Sequence, residues 1–197
     1  TFAIDEQGRF LVAETFRQLK GIEDNRFQEH WILDDVASQT VEDRLAMYKK
    51  WQEKTPMSYY TDFEERIQTV EDKDGDGRAD TVSTFADKFN HPLDGTGAGL
   101  LARNGTVYYT CIPHLYSLKD ADGDGKAEVR DSIQGGFGVK VSLRGHDMHG
   151  LAIGHDGRLY WSIGDRGYNI TTREGKRYVG PGDGAVFRCE LDGSRVE

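Results

Sequence analysis

The sequence is poor in cysteine and proline and has no long apolar segment. Its 197 residues include two cysteines, Cys111 and Cys189, and four prolines. Two cysteines outside any CxxC pair exclude a disulfide framework and a zinc site of the CxxC type. Each cysteine ends a predicted strand, which leaves two alternatives: a bridge between neighbouring sheets, or two reduced, buried thiols, which we favour. No apolar run approaches the length of a membrane span.

Positive charge is also scarce. The 25 lysine and arginine residues are outnumbered by 34 aspartate and glutamate residues, so the formal net charge is −9. Nucleic acids and anionic membranes attract basic surfaces, and the composition therefore disfavours both as partners. The chain is richer in glycine, with 24 residues, and in aromatic residues, at 11%. Both are typical of an all-β protein with many tight turns.

One pattern occurs three times along the chain. An apolar arm, a turn that ends in glycine and an aromatic or β-branched arm recur at residues 3–15, 100–111 and 151–165. A second pair of strand-like arms follows each of them, at residues 65–85, 114–133 and 184–197. Two hairpins per unit are typical of the four-stranded blades of a β-propeller. We therefore predict an all-β fold, a partial β-propeller.

The predicted propeller forms one domain over residues 1–197, with about three blades. Their approximate bounds are 1–97, 98–148 and 149–197. Three blades cannot close a ring, and an open ring exposes strand edges and apolar blade faces. We therefore expect the chain to be part of a longer protein, or its ring to be completed by another chain.

Residues 40–54 interrupt the first unit with a helical pattern. Apolar side chains recur there at helical spacing: Val41, Leu45, Tyr48 and Trp51. Thr40 is the predicted N-cap, with Asp43 three residues on, and Pro56 follows the predicted end. We interpret this insertion either as a packing element or lid, or as a surface decoration of the first blade, and the sequence favours the decoration.

A β-hairpin with polar residues at both ends runs from Gly145 to Asn169. Apolar residues alternate with small or polar ones on both sides of the segment 155–157, His-Asp-Gly, and Asp-Gly is a strong hairpin signal. Because a hairpin brings its ends to one edge, we expect His146 to lie close to Asp165. A carboxylate beside an imidazole fixes the tautomer of the ring, as in a general base with its orienting group.

The same stretch holds further polar candidates. Arg144 precedes the histidine, and Arg166 and Asn169 follow the aspartate on the same predicted loop. They could contact an anionic cofactor or a sugar hydroxyl, and the alternative is ordinary loop polarity. A metal held by His146, Asp147 and His149 is another option, although a short loop seldom supplies three ligands to one ion without a remote partner.

Two acidic loops, DKDGDGRAD and DADGDGKAE, are nearly identical. Carboxylates occupy positions one, three, five and nine of each: Asp72, Asp74, Asp76 and Asp80, and Asp120, Asp122, Asp124 and Glu128. Calcium prefers several oxygen ligands around one point, and clustered carboxylates repel one another without a cation. Position twelve is Ser83 or Asp131, and no helices flank the loops, so these are not EF-hands. We predict calcium, and the alternative is a hairpin turn at the solvent edge.

The stretch HDMHGLAIGHDGRLYWSIGDRGYN resembles the signature of soluble quinoprotein glucose/sorbosone dehydrogenases, six-bladed β-propellers that bind pyrroloquinoline quinone (PQQ). GAVFRCELDGS, at residues 184–194, resembles the next hairpin of that family. The chain is most similar to the propeller modules of planctomycete-type dehydrogenases, which are often fused to a c-type haem domain. Three segments carry this second likeness over nearly the whole chain: AIDEQGRFLVAETFR, DGDGRADTVSTFADKFNHPLDGTGAG and VYYTCIPHLYSLKDADGDGKAE.

The resemblance implies that the protein oxidises a sugar or alcohol with PQQ. His146, oriented by Asp165, would be the base, and the candidate cofactor contacts are Arg144, Arg166 and Asn169. A c-type haem domain would be the electron-accepting partner, in a periplasmic or extracytoplasmic location. In the family the cations that hold PQQ come from later blades, so we expect this chain alone not to hold the cofactor.

Two other functions fit the same residues. The first is a non-catalytic propeller that binds carbohydrate or protein and is stabilised by calcium. The second is a calcium-dependent lactonase or hydrolase, which requires a metal in the central channel with ligands from several blades.

Overall fold

The computed structural model describes all residues, 1–197, and contains 13 β-strands and two short α-helices. The chain is mostly β, and its strands form four antiparallel sheets, which agrees with the all-β prediction. The helices are α1 (Ile32–Ala37) and α2 (Val41–Lys50), with single 3-10 turns at Asn25–Phe27, Glu29–Trp31 and Met57–Tyr60. Neither helix has the length and apolarity needed to cross a membrane.

Two of the sheets are four-stranded meanders in chain order. The first contains β1 (Phe2–Ile4), β2 (Phe10–Glu14), β3 (Glu65–Glu71) and β4 (Thr81–Phe89). The second contains β5 (Gly99–Arg103), β6 (Thr106–Cys111), β7 (His114–Lys119) and β8 (Val129–Gly135). The acidic loops connect the third and fourth strands of these two sheets, so they occupy matching positions.

The third sheet has the order β9–β10–β13, and a separate hairpin interrupts it. Its strands are β9 (Met148–Ile153), β10 (Leu159–Ile163) and β13 (Ala185–Cys189). Between β10 and β13 the chain forms the two-stranded hairpin of β11 (Tyr168–Thr171) and β12 (Arg177–Gly180). The sequence reading placed Asn169 on a loop, and the structure corrects this because Asn169 pairs with Val179 inside the hairpin.

The second sheet is packed between the first and the third. All six residues of β6 are buried, because its side chains alternate between two apolar clusters. Val107, Tyr109 and Cys111 pack with the first sheet, whereas Tyr108 packs with Trp161 and Phe187 of the third. The first strands of successive sheets also contact each other, β1 against β5 and β5 against β9.

The whole segment between β2 and β3, residues 15–64, contains the predicted helical insertion. We call this segment the insertion below, and it is an integrated packing element. Helix α2 begins at a capping box in which Thr40 and Asp43 exchange hydrogen bonds, as the sequence predicts. Its buried residues Met47 and Tyr48 form a third apolar cluster with Trp31 and Tyr60 of the insertion and with Leu93 and Val141 outside it. Since Leu93 and Val141 belong to loops of the first two sheets, the favoured interpretation as a surface decoration is wrong.

Two buried arginines fasten the insertion to the sheets. The guanidinium of Arg17 donates to the carbonyls of Asp94 at 2.7 Å and Tyr60 at 2.8 Å. Arg44 of α2 donates to the carbonyl of Leu93 at 2.9 Å. Hydrogen bonds from a charged donor to backbone carbonyls that have no other partner keep these loops in one arrangement. Both cysteines are free and buried, in agreement with the favoured alternative.

Candidate active site

His146 and Asp165 lie at the same edge of the third sheet. Nδ1 of His146 is 2.7 Å from Oδ1 of Asp165, and the two side chains are 43% and 50% exposed. The predicted proximity is therefore confirmed. Gly164 makes it sterically feasible, because a Cβ atom there would lie 3.0 Å from Cβ of His146.

A β-bulge precedes this edge and sets the direction of the histidine loop. Tyr160 pairs with Ala152 and Ser162 pairs with His149, so Gly150 and Leu151 together oppose Trp161. Gly150 has φ +71, a conformation that favours glycine. The bulge is not visible in the sequence pattern, which predicts two regular arms.

The hydrogen bond fixes which nitrogen of His146 carries a proton. Burial raises the pKa of Asp165, but hydrogen bonds from Ser142 and His146 and the charge of the imidazole outweigh it and place that pKa below its ordinary value. An ionised carboxylate only accepts hydrogen bonds, so Nδ1 of His146 donates. In the neutral ring, Nε2 then carries a lone pair and can accept a proton.

The residues next to this pair form a second pair. Nε of Arg166 is 3.3 Å from Oδ1 of Asp147, and both side chains are almost fully buried, at 1% and 0% exposure. Neither carboxylate oxygen of Asp147 has a hydrogen-bond partner, whereas Arg166 also donates to the carbonyl of Glu23 at 3.3 Å. The ion pair therefore joins the two loops underneath the exposed pair and leaves Arg166 unable to face a ligand outside.

The loop before His146 is held by the insertion. Asp35 of α1 accepts a hydrogen bond from the backbone N–H of Val141 at 2.7 Å. The ammonium of Lys140 donates to the carbonyls of Asp35 and Ser38 at 2.9 and 2.7 Å, and also to that of Val36. The insertion thus positions the segment that leads into the histidine, a role that the sequence pattern does not reveal.

Arg144 and Asn169 have partners within the protein. The guanidinium of Arg144 is 3.6 Å from Asp24 and stacks over Phe27. Hydrogen bonds from Arg26 and from the backbone N–H of Arg144 hold the pKa of Asp24 well below its usual range. The amide of Asn169 donates to the carbonyl of Gln39 at 2.9 Å and accepts from Arg177.

These placements do not fit PQQ, which carries several carboxylates and needs converging cations. Of the three residues predicted to contact it, Arg166 is buried against Asp147 and Arg144 is paired with Asp24. Asn169 carries no charge and uses its amide within the chain. The three side chains therefore do not form an anion site beside His146.

The metal option for this loop is not supported by the geometry. His146 faces Asp165, Asp147 faces Arg166, and Nε2 of His149 is bonded to the carbonyl of Gly145 at 2.7 Å. The three side chains point to separate partners, so they do not surround a common point.

The two acidic loops share one pattern of hydrogen bonds from backbone N–H groups to their first carboxylate. In the second loop, the carboxylate of Asp120 accepts from the N–H groups of Gly123 and Gly125 at 2.7 and 2.9 Å. In the first, Asp72 accepts from Gly75 and Gly77 at 2.7 and 2.8 Å. These backbone donors lower the pKa of Asp72 below its ordinary value, the bond from Gly77 most of all.

The loops differ in how many carboxylates converge. One oxygen from each of four residues lies within 4.8 Å of the others in the second loop: Asp120, Asp122, Asp124 and Glu128. The first loop brings together Asp72, Asp74 and Asp80, and the structure does not include Asp76 in that group. The donor set consists of carboxylate oxygens on exposed turns, which is the chemistry that calcium prefers.

The chain also matches a family of proteins. Residues 1–197 match the model of a family described as a domain of unknown function, DUF7133. No curated protein matches the chain, and no solved structure matches it. Because the family model covers the chain from its first residue to its last, this protein belongs to the DUF7133 family.

Proposed function

We propose that the three larger sheets are consecutive blades of a β-propeller. Two of them are four-stranded meanders, and the first strands of successive sheets are neighbours, as the innermost strands of propeller blades are. The packing of the second sheet between the first and third also supports this arrangement. In a propeller of this kind, His146 and Asp165 belong to the loops of one face.

On that face, we propose, His146 is the general base of a sugar or alcohol dehydrogenase. The single observation behind the proposal is the 2.7 Å bond between Nδ1 of His146 and Asp165, which leaves Nε2 of this exposed side chain as a proton acceptor. A substrate hydroxyl would lose its proton to Nε2: the O–H bond breaks, an N–H bond forms, and Asp165 stabilises the imidazolium. The residues of this chain do not form a quinone site, so we assign them no part in hydride transfer.

A dye-linked dehydrogenase assay on the complete protein, supplied with PQQ, calcium and a panel of sugars and alcohols, tests this role. The variant His146→Ala should lose roughly 10²- to 10⁴-fold in turnover, the contribution typical of a positioned base. The matched control is His155→Ala, because His155 is exposed in the turn of the same hairpin. If His146→Ala retains wild-type turnover, His146 is not the general base. If the wild type oxidises none of the substrates, the proposed dehydrogenase activity is wrong.

We also propose that the acidic loops bind calcium, which would stabilise the domain whether or not it is catalytic. The observation that favours this is the convergence of four carboxylate oxygens within 4.8 Å in the second loop. Calcium at 100 times its dissociation constant would stabilise the fold by about 2.7 kcal/mol per site.

Thermal unfolding in calcium chloride and in a chelator measures that effect. The melting temperature should rise with calcium in the wild type and rise less in Asp122→Asn, which keeps the size of the side chain but removes a ligand charge. Asp192→Asn, in the turn after β13, where no carboxylate cluster forms, should respond to calcium as the wild type does. Equal melting temperatures with and without calcium contradict the calcium sites.

A further inference from the structure

A pocket whose walls include neither His146 nor Asp165 lies between the insertion and the first two sheets. Its volume is about 550 Å³, within the range typical of small-molecule sites. Its walls come from the first turn of α2, the end of β4 with the loop that follows, and β7 and β8. The side chains with polar groups include Glu42, Lys88, His91, His114, Tyr116 and Arg130. Elements distant in sequence thus converge on one polar cavity.

Lys88 occupies a strained position at the rim of this pocket. Glu65 pairs with Phe89 and Ile67 pairs with Ala86, so Asp87 and Lys88 form a β-bulge opposite a single residue of β3. Lys88 has φ +61, the left-handed region that glycine adopts without cost. A lysine there costs free energy that a glycine would not, and the bulge places this lysine on the wall of the pocket.

The pocket rim has two cations that have no carboxylate partner. Lys88 and Arg130 are both exposed, and neither forms a salt bridge within the chain. Arg130 is held in place, because its guanidinium stacks 4.1 Å from the centre of the Phe89 ring and donates to the carbonyl of Asp87 at 2.5 Å. Arg130 is therefore a fixed cation, and Lys88 lines the same pocket as a second positive group. In a chain with a net charge of −9, two unpaired cations that line one pocket match an anionic ligand.

The remaining walls of the pocket offer hydrogen-bond donors and acceptors to hydroxyl groups of a ligand. Nδ1 of His91 accepts the backbone N–H of Leu93 at 3.2 Å, so the proton of the neutral ring is on Nε2 and can be donated. Nδ1 of His114 is bonded to Ser132 at 2.8 Å, which fixes the second imidazole. The carboxylate of Glu42 is exposed and unpaired, so it can accept from a ligand hydroxyl.

We propose that this pocket binds a small hydroxylated carboxylate of the sugar-acid class. The ligand carboxylate would contact Lys88 and Arg130, and its hydroxyls would contact Glu42 and His91. This site includes neither His146 nor Asp165, so sugar-acid binding can be tested independently of the proposed dehydrogenase activity.

Isothermal titration calorimetry of the complete protein with D-glucuronate tests the proposal. We expect saturable binding to one site. The affinities for D-glucose and for acetate should be at least about tenfold weaker, because glucose lacks the carboxylate and acetate lacks the hydroxyl groups. His146→Ala should bind as the wild type does. Absence of binding, equal affinity for glucose or acetate, or loss of binding in His146→Ala would each overturn the proposal.

Two variants test whether Lys88 and Arg130 contact the carboxylate of the ligand. Arg130→Gln and Lys88→Gly should each weaken D-glucuronate binding by about tenfold, the loss typical of one charge-assisted hydrogen bond. The matched control is Arg103→Gln, an exposed arginine on β5, which should leave binding unchanged. Lys88→Gly also relieves the positive φ, so its melting temperature should equal or exceed that of the wild type, and misfolding cannot account for its weaker binding. Wild-type affinity in both rim variants would overturn the proposal.

Discussion

Two pairs of opposite character occupy adjacent positions on the same two loops. His146 and Asp165 form an exposed pair, whereas Asp147 and Arg166, each one residue further on, form a buried pair. An exposed pair contributes little to stability, and its free nitrogen is open to a substrate. A buried pair must stay intact, since removing one partner leaves an uncompensated charge. Neighbouring residues of the same two loops therefore supply the proton acceptor of this site and its structural support.

The largest effect is expected from breaking the buried pair. Arg166→Met leaves the Asp147 carboxylate unpaired in the interior, and we expect it to lower the free energy of unfolding by about 3–5 kcal/mol. Urea unfolding at neutral pH measures this loss. The control is Asp147→Leu combined with Arg166→Met, which removes both charges and should be much closer to the wild type. A single-variant loss below about 1 kcal/mol would refute a structural role for the pair.

Much of the third sheet was predictable, whereas this buried pair was not. In β10, Leu159, Trp161 and Ile163 alternate with less buried residues, and Asp-Gly marks the turn before them. This alternation was sufficient to predict the strand. An arginine in a loop is usually exposed, so the sequence offered no sign that Arg166 is buried. The hairpin also brings Asp147 to this edge, but a carboxylate between two histidines invited interpretation as a metal ligand.

Elements with weak periodicity also escaped prediction. The β11–β12 hairpin has strands of only four residues, with Ile170 as the one buried apolar side chain of the first, and no Asp-Gly turn. Helix α1 is six residues long, and its Leu33 and Val36 are exposed. The positions of His146 and Asp165, in contrast, followed from a well-marked hairpin, because its register alone brings its two ends together.

An intermediate loss of stability is expected when the loop before His146 loses its hydrogen bond to α1 and both side-chain pairs stay unchanged. Asp35→Ala leaves the buried N–H of Val141 without a partner, which should cost about 1–3 kcal/mol of unfolding free energy. Amide hydrogen exchange should accelerate at Val141 and at the residues that lead to His146. Val36→Ala, an exposed change on the same helix, should alter neither quantity. Unchanged exchange at Val141 in Asp35→Ala would contradict the positioning role of the insertion.

The smallest effect is expected from the exposed pair itself. Asp165→Ala should cost at most about 1 kcal/mol at neutral pH, because solvent screens the interaction. The pKa of Asp165 is lowered in the fold, so its contribution is present above the unfolded value of about 3.9 and is lost as pH falls through the lower folded value. Unfolding free energies of wild type and variant should therefore converge in acid. A difference that grows in acid would contradict this assignment.

¹⁵N NMR of the histidine side chains shows which nitrogen of His146 carries the proton, and hence whether Asp165 leaves Nε2 free to accept one. At a pH where the imidazole is neutral, we expect Nδ1 of His146 to carry the proton, and we expect Asp165→Ala to shift the ring toward the Nε2–H tautomer while His155 is unchanged. An Nε2–H tautomer in the wild type, or identical spectra with and without Asp165, would contradict this expectation.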